Sequence, residues 1–156
     1  MFRKLLIVGF AGVLVVVGSG LTMAFAGNNI TQPETLVLNE TTLKTRFVDV
    51  GKPGFGPGDV FLFVSSLTDP ADGSSVGTTH GQCTVQIGHW QMCQASGFLD
   101  DRGEIFVSGV IRATDQPAAV DLAITGGTGE FDNVRGSVHI DPVSETESED
   151  TLTLIP

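Results

Sequence analysis

The sequence predicts an all-β fold, a single eight-stranded antiparallel up-and-down β-barrel preceded by a signal peptide, and three observations carry that prediction. Downstream of about Lys44, short runs of alternating apolar and polar residues are separated by clusters of Gly, Pro, Asp and Asn. No apolar pattern there recurs at helical spacing for long enough to make a helix. Several runs carry large side chains on both faces, so both faces need cover, and closure into a barrel supplies one of the two.

Taken in chain order, the strands are expected near Lys44 to Val50, Asp59 to Leu67, Val76 to Ile87, Gln91 to Leu99, Glu104 to Arg112, Ala119 to Thr125, Val134 to Asp141 and Asp150 to Ile155. Most connections are of hairpin length, so consecutive strands should pair as antiparallel neighbours in a meander. Period two puts Val60, Leu62 and Val64, Cys83, Val85 and Ile87, Ile105, Val107 and Ile111, Val120, Leu122 and Ile124, and Val134, Val138 and Ile140 on one face. The other face is polar at Thr78, His80, Gln82, Thr84 and Gln86, but carries Phe61, Phe63, Phe98 and Phe106 elsewhere. An eight-stranded closed barrel has an interior wide enough for side chains or one small ligand. Its expected lining is Val60, Leu62, Val64, Cys83, Val85, Ile105, Val107, Leu122 and Ile124.

Ahead of the barrel, Met1-Phe2-Arg3-Lys4 is followed by an apolar stretch from Leu5 to Val17 and the small-x-small triplet Ala24-Phe25-Ala26. That order is a secretory signal peptide, residues 1–26, with cleavage expected after Ala26. The apolar core of thirteen residues is shorter than the ~20 a membrane-spanning helix needs. The mature chain is expected to be secreted, outside the cell or in its envelope, with no membrane association after cleavage. It divides into a lead segment, residues 27–42, and the barrel domain, residues 43–156.

The part beyond the leader holds eighteen acidic residues against six basic ones, twelve net negative charges. Such a surface repels phosphate backbones and argues against nucleic acid and anionic membranes as partners. Cys83 and Cys93 flank the turn Gly88-His89-Trp90 symmetrically, which places them opposite each other across a hairpin. In an exported chain a disulfide is the leading reading, and a reactive thiol the alternative.

Among titratable residues, His80, His89 and His139 have no metal-type spacing, and no metal site is expected. Asp49 stands in Phe47-Val48-Asp49-Val50 with apolar neighbours on both sides. Two readings stand: a cavity carboxyl with a raised pKa, acting as general acid or base, or a strand-end aspartate making turn hydrogen bonds. Gly126-Gly127-Thr128-Gly129 leads into another strand and not into a helix, so the glycines are read as a tight corner and not a phosphate cradle. The run Asp141 to Asp150 lacks the glycine turn of a calcium loop and is read as a solvated loop. No Ser, His and Asp set has a nucleophile-elbow context.

Gly58-Asp59-Val60, Val76-Gly77-Thr78-Thr79-His80-Gly81-Gln82-Cys83, Ala95-Ser96-Gly97-Phe98, Leu122 to Phe131 and Val134-Arg135-Gly136-Ser137-Val138 together resemble the allene oxide cyclase and dirigent barrel superfamily. The similarity runs in order from about Phe47 to Ile140, and Ile-Thr-Gly-Gly-Thr-Gly-x-Phe with the following Gly136 is its most specific part. It implies an eight-stranded barrel, often a homotrimer, with a largely apolar pocket and no metal or organic cofactor. Members fold a reactive apolar substrate into one geometry, which is catalysis by orientation and charge placement. By this resemblance Asp49 falls where these families keep a first-strand carboxylate, and Cys83 matches a pocket cysteine of the cyclases. Their pocket tyrosine has no counterpart, because the chain contains no Tyr.

Three functions follow as expectations. One is a cofactor-independent cyclase or stereochemistry-directing protein with Asp49 handling the proton. Another is a lipocalin-like carrier of an apolar small molecule without chemistry. The third is a structural barrel filled by its own side chains.

Overall fold

Period-two alternation is realised along every predicted run in the computed structural model, which describes residues 30–113 and 118–156. The signal peptide lies outside the described residues. Eight strands form: β1 (Glu34–Val48), β2 (Val60–Thr68), β3 (Ser75–Val85), β4 (Trp90–Leu99), β5 (Gly103–Arg112), β6 (Val120–Gly127), β7 (Arg135–Pro142) and β8 (Glu147–Ile155). Each pairs antiparallel with its sequence neighbour, and β1 pairs with β8 to close the barrel. Closure leaves no unpaired sheet edge to recruit another chain.

Two strand starts differ most from expectation. β1 begins at Glu34, so most of the presumed lead segment belongs to the barrel, with Glu34 to Thr41 paired on β8. β8 begins at Glu147 within the run read as a solvated loop. Both starts are rich in polar residues that obscure the alternation, and the two strands supply each other's backbone hydrogen bonds from Glu34↔Leu154 to Thr41↔Glu147.

β1 carries a register shift between Thr42 and Lys44 that leaves Leu43 exposed. One extra residue exchanges the faces of a strand. The inner face of β1 therefore runs through Leu36, Leu38 and Glu40 before the bulge and through Thr45 and Phe47 after it.

β2 turns its other face inward from the one predicted. Phe61, Phe63, Ser65 and Leu67 point into the barrel, while Val60, Leu62 and Val64 lie outside, and Leu62 is 38% exposed. Both faces of Val-Phe-Leu-Phe-Val are apolar, so period alone does not choose between them. Space chooses. Phe63 sits opposite Gly81 of β3, and a Cβ at Gly81 would collide with the Phe63 ring. Inside, glycine opposite phenylalanine fills the volume that two medium side chains would contest.

One end of the barrel is plugged. Gly126 and Gly129 adopt positive φ at the corner after β6, and a single 3-10 turn, Gly129–Phe131, inserts Phe131 among Leu67, Leu99, Ile105, Ile124, Val134 and Leu154. Across this end Arg102 bonds Glu130 at 2.8 Å and Glu34 at 3.4 Å and lies 4.9 Å from the Phe131 ring centre. Burial works to lower the Arg102 pKa, but the two carboxylates outweigh it and hold the pKa above its ordinary value.

At the opposite end the turn after β3 brings Cys83 and Cys93 into register, and they form a disulfide. Ile87 lies past the end of β3 and is exposed. With a separation of 10 residues the closed loop is short. Replacing both cysteines by alanine is expected to cost about 2–3 kcal/mol in urea unfolding, from the entropy returned to the unfolded chain. An unchanged midpoint would show that the hairpin is already held by its neighbours.

Candidate active site

The barrel interior holds a cavity of about 90 Å³ between the plug and the disulfide end. On this measure one water needs about 10–15 Å³, so the space suits one small organic molecule. Ile105, Val107 and Leu122 line it, joined by Leu38, Phe63, Val138 and Leu152. Val85 and Ile124 are buried but lie away from the cavity, and of the disulfide pair Cys93 contributes to its wall. On the outer surface, Leu62 instead helps form a groove with His80 and Phe106.

Asp49 is not in the cavity. It lies just past β1, exposed, and its carboxylate accepts a hydrogen bond from the Gly54 backbone N–H at 2.9 Å. This is the turn-forming alternative, and its cause is local. The segment 49–58 leaves the barrel as a glycine-rich loop that is tied back by Asp59. The fully buried Asp59 carboxylate accepts from the Val50 N–H at 2.8 Å and the Gly56 N–H at 2.7 Å.

The carboxyls inside the barrel are Glu40 and Asp150. Leu38 pairs with Asp150 across β1 and β8, and Glu40 pairs with Ser148, so Glu40 and Asp150 are diagonal neighbours on the inner face. Side chains of that length reach each other from such positions. Asp150 is only 5% exposed. Ser148 Oγ donates to its Oδ1 at 2.8 Å. Thr79 Oγ1 donates to Glu40 Oε2 at 3.2 Å. Beside Thr79, Ser65 is wholly buried and its hydroxyl has no partner among the described residues.

Burial raises the Asp150 pKa first, the charge of Glu40 raises it further, and the Ser148 hydroxyl opposes them. The result is pushed up to about 7. Two adjacent carboxyls in an apolar cavity cannot both ionise cheaply, so the proton belongs to the pair. Near neutral pH such a pair can both accept and return a proton.

Sequence reading passed over both residues, although a signal is present. Glu40 is in phase with Leu36 and Leu38, and Asp150 is in phase with Leu152 and Leu154. A carboxylate continuing an apolar face at period two is a buried one. His80 and His139 lie on the outside as expected, with His139 Nδ1 2.9 Å from Asp121 Oδ1. Among the described residues, no three His, Cys, Asp or Glu side chains cluster as a metal site.

The fold and cavity define a class, the closed eight-stranded antiparallel barrels with a central pocket. A solved structure named pyocyanin demethylase shares 32% identity over 78% of this chain and 100% of its own, with a TM-score of 0.68. A pterocarpan synthase dirigent protein shares 19% identity over 79% of this chain and 87% of its own, with a TM-score of 0.66. A Diels-Alderase from Streptomyces koyangensis shares 21% over 78% of this chain and 63% of its own, with a TM-score of 0.64. No protein-family model and no curated protein sequence matches. At that identity and coverage the chain belongs to the same family as the pyocyanin demethylase, and it shares the barrel fold of the dirigent protein and the Diels-Alderase.

Proposed function

We propose that this protein is an exported, cofactor-independent catalyst that isomerises or cyclises a small, largely apolar molecule by proton transfer. One observation carries the reading: a pair of neighbouring carboxyls, Glu40 and Asp150, in a cavity whose walls are otherwise mostly apolar. A carrier for apolar ligands gains nothing from burying two carboxyls, and a structural barrel would be more stable without them.

In the reaction an ionised carboxylate oxygen of the pair takes a proton from the substrate. That breaks a substrate C–H or O–H bond and forms an O–H bond on the protein. The substrate's electron pair shifts within its own framework, and a carboxyl of the pair returns a proton at the new basic position. No proton is consumed overall. The apolar wall holds the substrate in one conformation while charge moves, and the dry surroundings strengthen the carboxylate as a base.

Support for chemistry over storage comes from the relatives, whose names include a demethylase, a synthase and a Diels-Alderase. Export is supported by the leader pattern of residues 1–26 and by the Cys83–Cys93 disulfide.

The test is a reaction that needs only a buried base. Ring opening of 5-nitrobenzisoxazole, followed by its phenolate absorbance, is expected to accelerate with pH around a midpoint near 7. Asp150→Asn should reduce that rate about 100-fold or more. Equal rates for the wild type and Asp150→Asn would sink the proposal.

A further inference from the structure

Among the described residues the carboxyl pair has no cation to balance it. The groups facing it are Leu38 from β1, Ser148 and Leu152 from β8, Ile140 from β7, Thr79 from β3 and Ser65 from β2. No Lys, Arg or His lines the cavity among the described residues. Thr79 and Ser148 each donate one hydrogen bond to the pair, which leaves further acceptor positions on four carboxyl oxygens. Ser65, cross-strand neighbour of Thr79, adds a fully buried hydroxyl with no partner among the described residues. Buried polar groups almost always have partners, so unbalanced carboxyls with open acceptor positions inside this cavity point to a donor supplied from outside the chain.

We infer that the cavity takes a small organic ammonium ion, an apolar body of one or two rings bearing a protonated amine that donates to Glu40 and Asp150. A primary ammonium has three N–H donors and no acceptor, which matches the open acceptor positions on the two carboxyls and the absence of a competing cation among the described residues. Its body meets Leu38, Leu122 and Val138, and the volume of about 90 Å³ suits a body of one or two rings. This names the substrate class of the proposed catalyst and rests on the same site.

Calorimetric titration of the purified protein with benzylamine, and with benzyl alcohol as its neutral counterpart, tests the inference. At pH 8 benzylamine is expected to bind at least about tenfold tighter, because it pairs a charge in a dry site. Its affinity should fall by up to about tenfold at pH 6, where Asp150 is largely protonated, and binding should release protons. Benzyl alcohol should show neither effect. The Glu40→Gln, Asp150→Asn double variant, its folding checked by circular dichroism, should bind the two ligands alike.

Benzyl alcohol binding as tightly as benzylamine at pH 8, or neither binding, would overturn the inference. The benzisoxazole reaction uses a neutral probe and so separates the two readings. Asp150-dependent turnover with no preference for the amine removes the ammonium ligand and leaves the catalyst. Amine-selective binding with no Asp150-dependent turnover supports the ammonium ligand and removes the catalyst.

Discussion

Phe131→Ala is expected to lower the unfolding free energy by about 3–5 kcal/mol, measured by urea titration. The Phe131 side chain is wholly buried and stands at the centre of the plugged end, against Leu67, Leu99, Ile105, Ile124 and Leu154. Its backbone approaches Gly127 so closely that a side chain on Gly127 would strike it, which leaves little freedom for the surroundings to collapse into the space. The large cost follows from that rigidity, because a cavity that cannot shrink keeps its full penalty. The change also removes the ring beneath Arg102 and loosens the ion pairs that tie Glu34 at the start of β1 to Glu130. Phe131→Leu should recover most of the loss. A cost below about 1 kcal/mol for the alanine variant would mean that the 3-10 turn does not bear on the core.

The plug and the carboxyl pair differ in how far the sequence exposes them. Strand number and order were legible because Gly, Pro, Asp and Asn punctuate eight alternating runs. The symmetric spacing of Cys83 and Cys93 about their turn was enough to pair them. The inner face of β2 was not legible, since Phe61 and Phe63 compete with Val60, Leu62 and Val64 for the same role. What decides between them is Gly81 on a different strand, and only the register between β2 and β3 brings it opposite Phe63.

The site was obscured for a related reason. Glu40 sits among polar residues, and Asp150 ends an acidic run that looks solvated when read by composition. Their burial comes from β1 pairing with β8, a contact between the two ends of the barrel sequence that no local window contains. Asp49 attracted attention through its apolar neighbours Val48 and Val50. It lies one residue beyond β1, where alternation no longer reports which side faces inward.

Asp150→Asn is expected to make the protein more stable at pH 8 by up to about 4 kcal/mol. The sign follows from the displaced titration. Asp150 has an ordinary value of 3.8 and is raised to about 7 in the folded protein, so the folded state holds a proton that the unfolded chain has lost. The stabilisation from that retained proton is fully present below about pH 4, and it is lost as pH rises through 7. Each pH unit of displacement is worth about 1.4 kcal/mol, which sets the upper bound. Wild-type stability should therefore decline between pH 4 and 7 while that of the asparagine variant stays level across the same window. The asparagine amide can donate to Glu40 as the protonated acid can, and it carries no charge to bury. Urea midpoints measured at pH 4.5 and pH 8 for both proteins check this. An asparagine variant less stable than wild type at pH 8 would mean that Asp150 is held ionised by favourable contacts, and the shared proton would have to be abandoned. The expected result joins stability to chemistry at one residue: the carboxyl that weakens the fold above neutrality is the one that accepts and returns the proton. A barrel that had only to stand or to store an apolar molecule would have no reason to retain it.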